Sequence, residues 1–185
     1  AIKSDTLFLS RQTNERDLDA FRFLYPLSNA ALIRKMEGSE TTVERLRCVA
    51  DAVHGGDVTG PLYTAHLGEV AREDLISYVA DFLLQVDEIR WSVVSGIVQG
   101  DLVVSVRNLG DSRHAGEFVK RHFSDIGSAG GHRAMAKAVA PVQHFLKKFD
   151  LLDAEGILAT THELAIQFLG EAEAARRQRT SDQQP

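Results

Sequence analysis

The chain has 185 residues, enough for one well-packed core with appended elements, and its 25% charged and 44% hydrophobic content is ordinary for a globular protein. A net charge of −5 argues against indiscriminate coating of nucleic acid. Cys48 is the sole cysteine, which excludes an internal disulfide and favours a cytoplasmic location. No apolar run approaches the ~18 residues of a membrane span, and no signal peptide is visible.

Helical patterns fill the first part of the chain. Asn14 is a good N-cap for a helix that Pro26 ends. Further helices are predicted over residues 29–36 and 42–55, the latter ending at a glycine pair. None of them carries a catalytic pattern, so we interpret them as a connector. The turn-rich DVTGP at 57–61 is the predicted domain boundary.

Strand and helix patterns alternate after this break, in the order β-α-β-β-α-α. The expected fold is therefore α/β (α+β), a small mixed sheet flanked by helices, preceded by the helical connector and followed by a C-terminal helix. A turn at 99–101 joins two of the strands as a hairpin. Strands are predicted at 62–70, 89–98 and 102–107, helices at 72–86, 114–126 and 154–178, and a disordered tail at SDQQP.

Positive charge is concentrated in residues 107–148. This segment holds eight Lys or Arg against three Asp or Glu, a net of +5, so the remainder of the chain carries −10. An anionic ligand would be drawn to it. The alternative is a solvated helix face, since lysines such as Lys120 and Lys147 could point at water.

The glycine-rich stretch GSAGGHRAMAKA, residues 127–138, lies within this positive segment. Glycines let the backbone approach a ligand closely, and we expect the stretch to open a helix with His132 and Arg133 in its first turn. The N-terminus of such a helix attracts anions. The pattern therefore predicts a phosphate or nucleotide site, although similar helix entries occur without any ligand.

A second cation is expected beside this loop. Strand alternation over 102–107 places Val103, Ser105 and Arg107 on one face of the sheet, with Arg107 at the strand end. It is either a surface charge or a contact to phosphate, which an arginine fork suits well.

The order LVVSVRNLG (102–110), amphipathic helix, GSAGGHR resembles the C-terminal, DHH-associated type-1 domain of the DHH phosphoesterase superfamily over roughly residues 62–148. The resemblance implies a substrate-binding domain in which Arg107, Gly130, Gly131 and His132 hold a nucleotide phosphate, and Arg133 is added from its position. The chain departs from the family pattern, because Ala129 precedes the glycine pair and Ala-Met-Ala-Lys follows Arg133. That departure leaves the substrate class open.

The family's Asp-His-His triplet is absent, so no catalytic residue is assigned. IKSDT at 2–6 resembles the last metal-binding motif of the catalytic domain, which implies Asp5 as a ligand of Mn²⁺ or Mg²⁺ in a longer parent protein. No cofactor is expected on the chain alone. The predicted parts are the catalytic-domain end with connector (1–58), the substrate-binding domain (59–150), and the C-terminal helix with tail (151–185).

The expected function is binding of an oligonucleotide or nucleotide for a metal-dependent phosphoesterase. Two alternatives stay open. One is a free-standing nucleic-acid-binding module, since a related domain occurs in alanyl-tRNA synthetases. The other is a dimerisation module built on the helix at 154–178, so a homodimer is a possible assembly. No membrane partner is expected.

Overall fold

The computed structural model describes residues 13–29, 32, 42–109 and 113–181, with side chains as far as residue 171. The strand end predicted at 1–9, Asp5, and most of the helix predicted at 29–36 lie outside the described residues. The chain forms two compact units, residues 1–46 and 47–185.

The first unit contains helix α1 (Glu15–Leu24), which begins where the sequence predicts. The side chain of Asn14 accepts hydrogen bonds from the backbone N–H groups of Arg16 and Asp17, at 2.9 and 3.2 Å. The Asp17 carboxylate accepts in return from the backbone N–H of Asn14, at 3.0 Å, which completes a capping box. A short 3₁₀ turn containing Pro26 follows α1.

The second unit is built on one six-stranded sheet in the order β1-β2-β3-β4-β6-β5. Strands β2 and β3 run parallel, and every other neighbouring pair is antiparallel. The strands are β1 (Asp57–Thr59), β2 (Leu62–Glu69), β3 (Trp91–Val98), β4 (Asp101–Asn108), β5 (Ser128–Gly131) and β6 (Met135–Pro141). The helices that accompany them are α2 (Val43–Gly55), α3 (Glu73–Leu83), α4 (Ala115–Phe123), α5 (Val142–Lys148) and α6 (Gly156–Ser181).

Helices cover both faces of this sheet, so the predicted α/β class is confirmed. Residues of α2 and α3 pack on one face, and residues of α4, α5 and α6 pack on the other. Strand β4 has the alternation read from the sequence, since Leu102, Val104 and Val106 join the α4 side and Val103 joins the α3 side. Its predicted hairpin with β3 is also present, through the positive-φ residues Gln99 and Gly100.

The C-terminal helix is confirmed as well. Of its predicted inward residues, Ile157, Thr161, Ala165 and Phe168 are buried, and Leu164 and Leu169 are half-buried against the same core. No helix of the described residues is long and apolar enough to cross a membrane.

The prediction of a helix that opens at the glycine stretch is wrong as far as Pro141, because residues 128–141 form the β-hairpin β5–β6. Beyond Pro141 the predicted helix is present as α5. Alanine is a strong helix former, so Ala134 to Ala140 looked helical. In the structure every second residue faces the sheet's α4 side, and Ala136, Ala138 and Ala140 are buried there. Period-two alternation, ended by Pro141, was the signal of a strand. A further strand, β1, lies in the segment 57–61, for which the sequence predicts a turn-rich break.

His122 lies on the apolar side of α4, as predicted, with its ring centroid 5.1 Å from Phe118 and 6.4 Å from Phe168. Its Nε2 is buried without a hydrogen-bond partner in the described residues. Burial of the ring lowers the pKa of His122, and the positive charges of Arg121 and Lys148 lower it further. The negative charge of Glu171 acts in the opposite direction and raises it. The folded protein therefore disfavours the imidazolium form.

This burial predicts a pH-dependent stability. Below about pH 6.5 the unfolded chain takes up a proton that the folded His122 resists, so stability falls as pH drops from that value towards the lower folded pKa. We expect His122→Leu to reduce the difference between unfolding midpoints measured at pH 8 and pH 5. An unchanged pH dependence in the variant would contradict this account of His122.

Candidate functional site

The glycine hairpin, defined as β5, the loop His132–Ala134 and β6, forms one edge of the sheet. Gly130 pairs with Lys137 and Gly131 with Ala136, and the backbone N–H of His132 donates to the carbonyl of Met135 at 2.7 Å. The hairpin is therefore held by strand pairing up to its tip.

The tip of the glycine hairpin is fastened to the start of α4. The backbone N–H groups of Ala115 and Gly116 donate to the carbonyls of Arg133 and His132, at 2.9 and 3.1 Å. These first-turn donors of α4 are the groups that an anion at the helix N-terminus would use. The predicted helix-entry mechanism is wrong, because the glycines are followed by the loop and strand β6 and not by a helix. At the neighbouring start of α4, hairpin carbonyls occupy the first-turn donors.

Asn108, at the end of β4, holds the same loop from the other side. Its backbone N–H donates to the carbonyl of Ala134 at 2.9 Å, and its Nδ2 donates to the carbonyl of Arg133 at 3.2 Å and to that of Arg113. The side chain is fully buried. Asn108 thus ties β4, the hairpin loop and the segment entering α4 together.

Three glycines around the loop have different physical roles. Gly131 has a φ of +151°, and a Cβ there would lie 2.4 Å from the Ala136 Cα. A Cβ on Gly116 would lie 2.6 Å from the carbonyl oxygen of Gly131, so α4 and the hairpin could not approach as closely. At Gly130 a Cβ would meet nothing within 4 Å. The space over Gly130, on that face of β5, is therefore open.

Arg107 lies on β4, the strand that pairs with β6 of the hairpin, and is directly opposite Met135. Its Nε and Nη2 donate to the two carboxylate oxygens of Asp81 in α3, at 2.8 and 3.2 Å, and its Nη1 donates to Ser105 Oγ at 2.8 Å. Nη1 also donates to the carbonyl of Val106 at 3.2 Å. The guanidinium has five N–H groups, so one, on Nη2, is left without a partner in the described residues. Arg107 is therefore a cation held in place by Asp81 and Ser105, with one N–H left for a further partner.

The structure brings the predicted substrate-binding residues together at one corner of the sheet. Gly130, Gly131, His132 and Arg133 lie in the hairpin, and Arg107 lies on the adjoining strand beside its loop. The side chains of His132 and Arg133 are exposed, and within the described residues neither makes a hydrogen bond or an ion pair.

The predicted metal ligand Asp5 lies outside the described residues. Among the residues that are described, no three His, Cys, Asp or Glu side chains come close enough together to hold a metal ion. This part of the chain does not fit a two-metal centre, which needs several such ligands.

Sequence reasoning missed four residues that shape this corner. Asn108 and Gly116 position the loop, and Asp81 orients Arg107. Lys137 adds a half-exposed cation on the side of the hairpin that faces α3. A signal for Asp81 was present in α3, where Glu73, Ser77 and Asp81 recur every four residues as a polar stripe. Such a stripe on an otherwise apolar helix indicates polar partners on the sheet.

The chain was compared with protein-family models, with curated proteins and with solved structures. No family model matches the chain. A curated protein of Methanocaldococcus jannaschii, itself uncharacterized, is 30% identical over 145 residues, which are 78% of this chain and 30% of that protein. The chain thus spans less than a third of the length of the curated relative it matches.

Two solved structures align with the chain at low sequence identity. RecJ from Thermus thermophilus with Mg²⁺ aligns with a TM-score of 0.44 at 12% identity, over 69% of this chain and 18% of RecJ. That likeness is too weak to support an argument. An exopolyphosphatase-related protein from Bacteroides fragilis aligns with a TM-score of 0.61 at 13% identity, over 80% of this chain and 46% of that protein. This chain therefore shares its fold with part of the exopolyphosphatase-related protein.

Proposed function

We propose that the chain is the substrate-binding part of a metal-dependent phosphoesterase, and that the corner formed by Arg107 and the glycine hairpin holds a phosphate of a nucleotide or short oligonucleotide. The observation that carries this proposal is the convergence of a fixed guanidinium, an accessible glycine backbone and two exposed basic side chains at one corner. The likeness of fold to an exopolyphosphatase-related protein is consistent with it.

Arg107 suits a phosphate because its orientation is fixed before the ligand arrives. Its side chain is only 12% exposed and Asp81 holds it by two hydrogen bonds. The remaining Nη2 N–H can donate to one phosphoryl oxygen without further ordering of the side chain. A preorganised donor of this kind loses little conformational entropy on binding.

The hairpin supplies the other contacts. At Gly130 no side chain stands between the backbone and a ligand. His132 and Arg133 are exposed in the hairpin loop, next to the end of β4 that carries Arg107, so each can donate to phosphate oxygens that face solvent. The local excess of +5 over residues 107–148 favours any ligand with negative charge.

Bond cleavage is assigned to a metal centre of the parent protein. Asp5 of this chain, with further acidic and histidine side chains of the parent, would hold Mn²⁺ or Mg²⁺, which would supply an activated water and stabilise developing negative charge. Arg107 and the glycine hairpin bind and orient the phosphate. We therefore expect the 185-residue chain to bind nucleotides and to hydrolyse none.

Binding of adenosine 5′-monophosphate to the full chain, measured by calorimetry, tests this proposal. We expect His132→Ala to weaken binding roughly tenfold, since it removes one hydrogen bond to a charged group. Because the His132 side chain is exposed, its unfolding midpoint should stay close to that of the wild type. The matched control is Lys147→Ala, an exposed cation of the same basic segment on α5.

Equal losses in His132→Ala and Lys147→Ala would reduce the site to a general attraction by positive charge and contradict the proposal. A wild-type chain that binds no nucleotide would contradict it more directly. In the parent protein, absence of manganese-dependent hydrolysis of short oligonucleotides would argue against the phosphoesterase assignment.

A further inference from the structure

The guanidinium of Arg107 lies in a hydrogen-bonded network that α3 and β4 form together. Asp81 accepts from Nε and Nη2 at 2.8 and 3.2 Å, and Ser105 Oγ accepts from Nη1 at 2.8 Å. Ser77 Oγ lies 3.4 Å from Ser105 Oγ, so a hydroxyl of α3 also reaches the second acceptor. Because Ser77 and Asp81 are one helical turn apart, α3 contacts this network at two points.

The end of α3 that carries Asp81 is itself fixed to the sheet. Ser92 Oγ donates to the carbonyl of Ala80 at 2.7 Å, and Ser92 is fully buried. Ala80 is among the last four residues of α3, where carbonyls need partners from outside the helix. Ser92 is also the residue of β3 directly opposite Arg107. Neighbouring strand positions therefore hold both the helix end and the cation that Asp81 binds.

Charge alone makes Asp81 unfavourable for phosphate binding. Its carboxylate is 39% exposed beside the proposed phosphate site, so it repels a bound phosphate and offsets the positive charge of Arg107. If charge governed binding, a chain without this carboxylate would bind phosphate more tightly. A favourable effect of Asp81 on binding must therefore come from geometry.

The geometry of the network gives Asp81 such an effect. An arginine side chain without acceptors samples many rotamers, and it loses this conformational entropy when a ligand orders it. The bonds to Asp81 and Ser105 fix the plane of the Arg107 guanidinium before a ligand arrives. The remaining Nη2 N–H then has a set direction.

We infer that Asp81 is a positioning residue of the phosphate site, which acts by fixing the guanidinium of Arg107 and not through its charge. The inference rests on the proposed phosphate site at Arg107. It requires the benefit of orientation to exceed the repulsion between Asp81 and the phosphate. Ser105 has the same role without any charge.

Binding of adenosine 5′-monophosphate to the full chain, measured by calorimetry, gives opposite signs for geometry and charge. We expect Asp81→Asn to weaken binding roughly fivefold, because an amide offers one acceptor oxygen where the carboxylate offers two. Charge alone predicts tighter binding. The matched control is Glu73→Gln, which removes a carboxylate of α3 that pairs with Lys137 and not with Arg107. This variant should bind at least as tightly as the wild type.

Two further variants separate positioning from a general loss of structure. Asp81→Glu keeps both acceptor oxygens on a longer side chain, so we expect it to bind within about twofold of the wild type. Ser105→Ala removes one acceptor of Arg107 without changing any charge, and we expect roughly threefold weaker binding. Unfolding midpoints of all four variants show which of them are folded at the temperature of the binding measurement.

The outcomes separate this inference from the proposed function. If the wild type binds no nucleotide, the phosphate site itself fails. If the wild type binds and a folded Asp81→Asn variant binds equally well or more tightly, the phosphate site stands and the role of Asp81 is overturned. Equal losses in Asp81→Asn and Glu73→Gln would also overturn it. Should Asp81→Asn not fold, unchanged binding by Ser105→Ala would overturn the inference in its place.

Discussion

Replacing Gly131 with alanine will lower the free energy of unfolding by about 3 kcal/mol, through strain and a steric clash. The φ of +151° at Gly131 is a conformation that residues with a side chain rarely adopt. The added Cβ would also lie 2.4 Å from both the Ala136 Cα and the Met135 carbonyl oxygen. Because these are backbone atoms of the paired strand, they can move aside only by breaking the pairing of β5 with β6. Chemical denaturation measures the loss.

Gly130→Ala is the matched control, one residue away and on the opposite face of the same strand. Its Cβ enters open space, so we expect stability within about 0.5 kcal/mol of the wild type. Nucleotide binding should weaken in this variant, because a methyl group now stands where a phosphate approaches the backbone. Equal stability losses at Gly130 and Gly131 would contradict the difference that the structure draws between them.

Much of the fold could be predicted because its patterns are local. Alternation along β4 placed Leu102 and Arg107 on their correct faces, and Asn14 and Gly100 marked a helix start and a hairpin turn correctly. These features depend on a few neighbouring residues. The sequence therefore predicted the three central strands β2, β3 and β4, the last of which carries Arg107, and the helices α3, α4 and α6, but not the strands β1, β5 and β6.

The glycine stretch was misread because local preference and tertiary packing disagree there. Ala136 and Ala138 favour a helix in isolation, but in the sheet their small size suits burial beneath α4. Arg107 lies on the strand next to the hairpin, although the predicted element was wrong, and the binding role of these residues stays a prediction. Their grouping depends on β4 pairing with β6, a contact between segments about thirty residues apart, which no local pattern encodes.

The residues that support the site were harder to find for the same reason. Asp81 accepts a hydrogen bond from Arg107, which lies 26 residues later in the chain. Asn108 donates to the carbonyl of Arg133, which lies 25 residues later. Nothing near Asn108 in the sequence indicates that its amide is needed. The structure identifies such a residue, because it shows which side chain donates to the buried backbone carbonyls of the loop.

Asn108→Asp should therefore be among the most damaging changes that preserve side-chain shape. The buried Nδ2 donates to the carbonyls of Arg133 and Arg113, and a carboxylate cannot donate to either. It would also leave a negative charge facing carbonyl oxygens in a fully buried position. We expect a loss of about 3 kcal/mol at pH 7 and, because the hairpin loop is released, a loss of nucleotide binding as well.

The pH dependence of this loss distinguishes it from general disruption. Burial raises the folded pKa of the new carboxyl above its unfolded value of about 3.9, so the difference in stability from the wild type is smallest below that pH and grows as pH rises towards the folded pKa. Asn14→Asp is the control, since Asn14 caps α1 by accepting hydrogen bonds and aspartate accepts equally well. A stability difference for Asn108→Asp that is independent of pH would contradict the burial of a negative charge as a cause of the loss and would leave the missing amide donor as its cause. Wild-type stability at every pH would contradict the account of how the Asn108 amide holds the hairpin loop beside Arg107.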